Sequence, residues 1–236
     1  MSIRDKLDIS AYLVIGPENT LNRPVGDIIK SAIESGFTCI QIRSKVASAR
    51  ELIKLTEEAS NIIEKLGKSD SVTLVVNDRL DVVLAARDLG IKVDGIHIGQ
   101  KDIPVETCRK YLGEDSVIGL SARSVELIDY IKSANVKDID YFGAGPLFET
   151  KTKPDCGIGP DGNVVTRSYE EIEELEKISP IPVVIGGGVK LEHIPRLAQT
   201  GIDGFFVVTA VTEAEDPKSA ARELVSAWKE NERKKI

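Results

Sequence analysis

The sequence predicts a single α/β domain with the (β/α)8, or TIM-barrel, architecture. Three observations carry that expectation. Eight short apolar runs rich in β-branched residues alternate with eight amphipathic segments. The runs are mostly continuous rather than alternating, as parallel strands buried on both faces should be. Several amphipathic segments end at a glycine that leads toward the next run, at Gly36, Gly67, Gly90, Gly113 and Gly201. Glycine is the residue a left-handed helix C-terminus favours. A length of 236 residues suits one such barrel, for which about 250 is typical. An open doubly wound sheet is the runner-up and usually has fewer strands.

Taken in order, the run at 11–15 precedes a helix expected over 25–35, where Val25, Ile28, Ile29, Ala32 and Ile33 share one stripe. The run at 38–42 precedes a helix over 47–66, with Leu52, Leu55, Ala59, Ile62, Ile63 and Leu66 on one face. Runs at 72–76, 95–98 and 117–120 lead to helices over 81–89, 105–112 and 125–134. The run at 139–142 enters the one long irregular segment, 143–168, before a helix over 170–178. Compact domains rarely keep such a segment without a functional reason, and its Gly and Pro content makes it a candidate lid. Runs at 183–185 and 204–208 lead to helices over 191–198 and 217–228. No linker or low-complexity stretch divides the chain.

Composition narrows the function. Thirty-one basic against 38 acidic residues give a net charge of −7. That balance argues against a nucleic-acid binder with a basic surface. The cysteines Cys39, Cys108 and Cys156 form neither a disulfide framework nor a C-x-x-C pair, which fits a reducing compartment. No apolar run approaches the roughly 20 residues of a membrane helix. A cytoplasmic protein without nucleic-acid or membrane partners is expected.

A barrel of this kind carries its site at the C-terminal ends of the strands. Polar residues cluster there: Gln41-Ile42-Arg43-Ser44-Lys45, Asn77-Asp78-Arg79, His97 through Asp102, Ser121, Thr150 through Lys153, Gly186-Gly187-Gly188, and Val208-Thr209. Each has a plain alternative. Arg43, Lys45, Lys151 and Lys153 serve equally as solvated charges. Asp78 taken alone is better read as a helix cap. His97 between Ile96 and Ile98 reads as a packed or hydrogen-bonded barrel residue rather than a base. His193 reads as surface. Convergence on one mouth changes the weighing. Arg43, Lys45 and Lys153 can neutralise phosphate oxygens, arginine as a fork and lysine as a point charge. Asp78 and Asp102 are hard oxygen ligands, and Mg2+ is usually held by one or two carboxylates together with substrate phosphates. The run "IGGGV" leaves backbone N–H groups open to a second phosphate, though three glycines also allow a simple tight turn. Gly157 through Gly162 spells G-x-G-x-x-G but follows no strand and opens no helix, so a dinucleotide reading fails. Cys156 lacks an adjacent base.

The ordered set "QIRSK", "VNDRLDV", "DGIHIGQKDIP", "GLSARS", "YFGAGPLFETKTKPD", "PVVIGGGV" and "FFVVTAV" resembles the thiamine phosphate synthase family from about Gln41 to Pro217. The resemblance implies a Mg2+-dependent transferase with two phosphorylated small-molecule substrates. It would couple a hydroxymethylpyrimidine diphosphate to a hydroxyethylthiazole phosphate. Gln41, Arg43, Lys45, Asn77, Ser121 and Lys153 would bind the pyrimidine diphosphate, with Lys153, Arg43 and Ser121 the catalytic set. Asp78 and Asp102 would hold Mg2+. Thr150, Lys151, Thr152, Gly188, Val208 and Thr209 would bind the thiazole phosphate. The implied mechanism is dissociative and needs orientation and charge stabilisation, not a strong base. Assembly into a homo-oligomer is left open. The chain departs from the family pattern at Ser44 (usually Glu), Arg123 (usually His), Thr209 (more often Ser), the extra Gly186, and a longer 155–168 loop. A thiazole tautomerase of the same superfamily and a non-catalytic phosphate sensor are the alternatives. Neither needs the full diphosphate and metal set.

Overall fold

The computed structural model describes residues 4–150, 158 and 162–233. Eight parallel strands close into a barrel in chain order, with the first pairing the last. They are β1 (Ala11–Ile15), β2 (Cys39–Ile42), β3 (Thr73–Asn77), β4 (Gly95–Ile98), β5 (Val117–Ser121), β6 (Tyr141–Ala144), β7 (Val183–Gly186) and β8 (Gly204–Val207). The helices are α1 (Val25–Glu34), α2 (Ala49–Lys65), α3 (Leu80–Asp88), α4 (Val105–Leu112), α5 (Leu127–Ser133), α6 (Tyr169–Ile178), α7 (Ile194–Gln199), α8 (Thr209–Thr212) and α9 (Pro217–Asn231). Among the described residues no helix is long and apolar enough to cross a membrane.

The strands are buried on both faces, which is why their sequences read as unbroken apolar runs. Side chains nevertheless alternate. Tyr12, Val14, Cys39, Val75, Val117, Tyr141 and Val184 belong to a small inner cluster. Their neighbours Leu13, Ile40, Leu74, Ile118, Phe142 and Ile185 face the helices in a much larger outer core. The expected α1 stripe is buried as a unit, at Val25, Ile28, Ile29, Ala32 and Ile33.

Helix starts follow capping chemistry rather than the first apolar residue. Ser48 and Glu51 form a reciprocal capping box, so α2 begins at Ala49, two residues later than periodicity suggests. Ser168 accepts the Glu171 N–H at 3.1 Å, which sets the start of α6. Asp216 accepts two N–H groups ahead of Pro217 at the head of α9. The five helix-terminal glycines all adopt positive φ. Two differences from the sequence expectation stand out. Strand β6 is displaced to Tyr141–Ala144, because Asp140 uses its carboxylate to accept from Ile118 N–H, Arg4 and Arg109. Helix α8 has no counterpart in the sequence expectation, since four residues show no helical period.

A repeated aspartate seals the N-terminal end of the barrel. Asp94, Asp140 and Asp203 accept the backbone N–H of Leu74, Ile118 and Val183 at 2.7–2.8 Å, each on the preceding strand. Gly95, at the start of β4, lies so close to β5 that a Cβ would fall 1.7 Å from the Val117 carbonyl oxygen. Backbone cannot yield as a flexible side chain can. Gly95→Ala is therefore expected to lower unfolding free energy by about 3 kcal/mol or more, measured as a shift in the urea midpoint.

Candidate functional site

The inward positions turn polar at the C-terminal ends of β2 to β5. Gln41, Asn77, His97 and Ser121 sit there, on strands whose outward residues remain Ile, Val and Leu. Together with the loops beyond, they line a cavity of about 1020 Å³. Eleven residues singled out from sequence converge on it: Gln41, Arg43, Lys45, Asn77, Asp78, Asp102, Ser121, Thr150, Gly188, Val208 and Thr209. Lys151, Thr152 and Lys153 lie outside the described residues, as does Cys156.

Asp78 is not a helix cap. Helix α3 has Arg79 at its N-cap, with no side-chain capping bond. Asp78 adopts φ 62°, a conformation unusual for a non-glycine residue and tolerated by Asp and Asn. That turn aims its carboxylate at Lys45 Nζ, 2.5 Å away, and at Asn77 Nδ2, 2.6 Å away. Asp102 reaches the same place from beyond β4, where Oδ2 also accepts the Gly99 N–H at 2.7 Å. The two carboxyls perturb one another. Burial and then the neighbouring Asp78 push Asp102 up. Burial is the largest influence on Asp78 and opposes its ionisation as well, but the hydrogen bonds from Lys45 and Asp102 and the Lys45 charge together outweigh it and hold Asp78 below the ordinary carboxylate value.

Arg43 enters the cavity from the loop after β2, and its guanidinium makes no hydrogen bond or ion pair among the described residues. Its neighbours are held by Glu18, which sequence reasoning missed. Glu18 Oε1 accepts the Ser44 hydroxyl at 2.5 Å and the Lys45 N–H at 3.0 Å. Burial works to raise the Glu18 carboxyl, yet these hydrogen bonds keep it below its usual value. No local pattern signals this role, because Glu18 lies in a 3-10 turn after a different strand.

The opposite corner is built by close approach. The β6 loop docks on the β7 loop through Leu147 N–H to Gly186 O at 2.9 Å and Phe148 N–H to Gly187 O at 3.0 Å. At Gly188, φ is 71° and a Cβ would fall 2.8 Å from both Cβ and the carbonyl oxygen of Phe148. The tight-turn role of the glycines is therefore real. Among the described residues the N–H groups of Gly187 and Gly188 donate no hydrogen bond, and both residues line the cavity. Val208 and Thr209 border the same corner. The end of the long 143–168 segment is pinned by Arg167, also missed from sequence. It is buried, donates to Ser124 O at 2.6 Å and to Glu171 at 2.5 Å, and its own N–H meets Pro146 O.

His97 is a hydrogen-bonded barrel residue, as its apolar flanks suggest. Nε2 lies 2.9 Å from Ser121 Oγ and Nδ1 lies 3.0 Å from the Tyr141 hydroxyl. His193 is less of a bystander than expected, stacking on Phe148 with ring centroids 4.1 Å apart. The mouth as a whole is of mixed charge, since Glu126, Glu213 and Glu223 line it too. Among the described residues its basic side chains are Arg43, Lys45, Lys101, Arg123 and Lys190, of which Arg43 and Lys45 lie on the side of Asp78.

Known proteins resemble this chain over nearly its whole length. Residues 11–211 match the family described as thiamine monophosphate synthase. A protein named thiamine-phosphate synthase from Corynebacterium efficiens is 36% identical over 228 residues, covering 97% of this chain and 99% of the relative. One of the same name from Methanobrevibacter smithii is 34% identical, covering 95% and 98%. Among solved structures, a thiamine phosphate pyrophosphorylase from Pyrococcus furiosus superposes with a TM-score of 0.77 at 27% identity, covering 97% of this chain and 98% of that one. The 3-hexulose-6-phosphate synthase from Salmonella typhimurium reaches 0.64 at 15% identity, covers 94% of this chain and 100% of that one, and shares the fold alone.

Proposed function

The chain belongs to the thiamine monophosphate synthase family, and from that membership we propose that it couples a hydroxymethylpyrimidine diphosphate to a hydroxyethylthiazole phosphate. The products are thiamine phosphate and diphosphate. The observation that carries this reading is the convergence of Arg43, Lys45, Asp78 and Asp102 at one side of the cavity, with Gly187 and Gly188, whose N–H groups are unbonded among the described residues, lining the other. A coupling enzyme needs two anion sites facing one another; a tautomerase or a one-ligand sensor does not.

The reaction is written as dissociative. The bond between the pyrimidine methylene carbon and the diphosphate oxygen breaks, and its electron pair leaves with diphosphate. The methylene carbon becomes a cation. The lone pair of the thiazole ring nitrogen then forms the new C–N bond. No proton changes hands, so no base is required. The protein's work is orientation and stabilisation of the departing charge. Arg43 offers a free guanidinium fork to the leaving oxygens, and Lys45 adds a point charge. Gln41, Asn77 and Ser121 orient the pyrimidine, and Lys153 belongs with them in assisting departure. Thr150, Lys151, Thr152, Gly188, Val208 and Thr209 take the thiazole phosphate.

The donor chemistry fits Mg2+. Two neighbouring carboxyls, Asp78 held ionised beside Lys45 and Asp102 pushed up by burial and by Asp78, form a hard oxygen donor set that a divalent cation completes. Asp78 and Asp102 would hold it, and when bound it would supply charge neutralisation to the diphosphate. The acidic composition and the free, buried thiols of Cys39 and Cys108 suit a cytoplasmic enzyme working as one barrel domain.

Gly188→Ala tests the thiazole corner. Its Cβ would collide with Phe148, so KM for the thiazole phosphate is expected to rise about tenfold or more with a smaller change for the pyrimidine substrate. Equal effects on both substrates would remove the assignment.

A further inference from the structure

Below the mouth, five polar side chains form one hydrogen-bonded chain through the barrel interior. Gln41 Nε2 donates to the Tyr12 hydroxyl at 2.5 Å. The Tyr12 and Tyr141 hydroxyls lie 2.8 Å apart, Tyr141 meets His97 Nδ1 at 3.0 Å, and His97 Nε2 meets Ser121 Oγ at 2.9 Å. Only Ser121, at the cavity end, is partly open; Tyr12, Gln41, His97 and Tyr141 are buried. Space is cleared for this chain by glycines. A Cβ at Gly119 would fall 2.2 Å from the Tyr141 ring, and one at Gly143 would fall 3.0 Å from His97 Cε1.

A serine beside a histidine with a third polar partner has the outline of an activated nucleophile, in which the third group accepts from Nδ1–H and leaves Nε2 free to take the serine proton. The direction of the protons decides whether that reading holds. Burial holds both phenols well above their ordinary pKa, so each oxygen keeps its single proton. Tyr12 already accepts from Gln41. If it donates to Tyr141, then Tyr141 must donate to Nδ1, and the neutral imidazole carries its proton on Nε2. If the direction is reversed, Tyr12 has no oxygen left to donate to and must turn its proton to the sulfur of Cys39, its other hydrogen-bonding neighbour. Sulfur is a weak acceptor. The first direction gives every buried O–H an oxygen or nitrogen partner, and leaves only the Ser121 proton pointing into the accessible cavity.

We propose that Tyr141, backed by Tyr12 and Gln41, is a positioning residue that fixes His97 as the Nε2–H tautomer and so turns the Ser121 hydroxyl into a hydrogen-bond donor toward an acceptor atom of the substrate. In this polarity His97 cannot accept the serine proton, and Ser121 is no nucleophile. The inference rests on the coupling reading for the identity of the substrate, but the tautomer does not.

The chain has two histidines, so the imidazole 15N spectrum of the labelled protein contains two rings, and His193→Gln assigns the remaining one. The expected result is a protonated Nε2 and an unprotonated Nδ1 on His97. Tyr141→Phe should convert this to a mixture of tautomers, and Tyr12→Phe should do the same more weakly, with no loss of folding required for the wild-type measurement itself. In the coupling assay Tyr141→Phe should lower kcat by up to about tenfold. In a Ser121→Ala background it should have almost no further effect, a non-additivity that a merely structural role would not produce. A proton on Nδ1 in the wild type, an unchanged tautomer in Tyr141→Phe, or additive kinetic effects would overturn the proposal. The expected tautomer in a protein that forms no thiamine phosphate would instead refute the coupling reading and leave the polarity standing.

Discussion

Asp78→Asn and Asp102→Asn should each lower Mg2+-dependent turnover by roughly a hundredfold or more while leaving the barrel folded. The reason is local. Asn is among the few residues that tolerate the φ of 62° at position 78, so the backbone turn survives the change. An amide at 102 can still accept the Gly99 N–H that Asp102 Oδ2 accepts now. What is lost is anionic charge, at the one place where two carboxyls face each other beside Lys45. The measurement is initial rate across a Mg2+ titration, with far-ultraviolet circular dichroism as the control for folding. A wild-type rate at every Mg2+ concentration would remove the metal assignment.

Arg43→Ala should cost a similar factor, roughly a hundredfold in kcat/KM for the pyrimidine diphosphate. Unlike Lys45, whose charge is partly answered by Asp78, Arg43 has no partner among the described residues to share it with. Its whole charge is available to a ligand. Arg43→Lys keeps the charge and loses the planar fork, so it should recover only part of the loss. Full recovery by lysine would mean that Arg43 acts as a general cation rather than a bidentate clamp. No loss in Arg43→Ala would place the diphosphate elsewhere in the cavity. Stability should barely change in either variant, since among the described residues the guanidinium supports no other.

Much of the barrel is legible in the amino-acid sequence alone. Parallel strands buried on both faces write themselves as apolar runs, and a helix stop at glycine recurs in five of the βα units. Those regularities are local, and they locate every strand, with β6 displaced. The polar residues at the strand ends are legible for the same reason: given a barrel, its geometry carries Gln41, Asn77, His97 and Ser121 to one mouth. What is not legible depends on contacts between elements far apart in sequence. Glu18 reaches Ser44 and Lys45 across the tops of neighbouring strands, and Tyr12 meets Tyr141 across the barrel interior. A tyrosine inside an apolar run reads as one more hydrophobic residue, because periodicity is blind to the hydroxyl at its tip. Asp78 taken singly reads as a helix cap; only the backbone turn at that residue shows that its carboxylate points into the cavity. Helix α8 is too short to have a period at all.

The most direct test of the coupling function is to incubate the purified chain with hydroxymethylpyrimidine diphosphate, hydroxyethylthiazole phosphate and Mg2+, and to quantify thiamine phosphate and diphosphate together. Both products are expected in equal amounts, dependent on both substrates and on Mg2+. Consumption of either substrate alone without thiamine phosphate, or binding of both without turnover, would contradict that function.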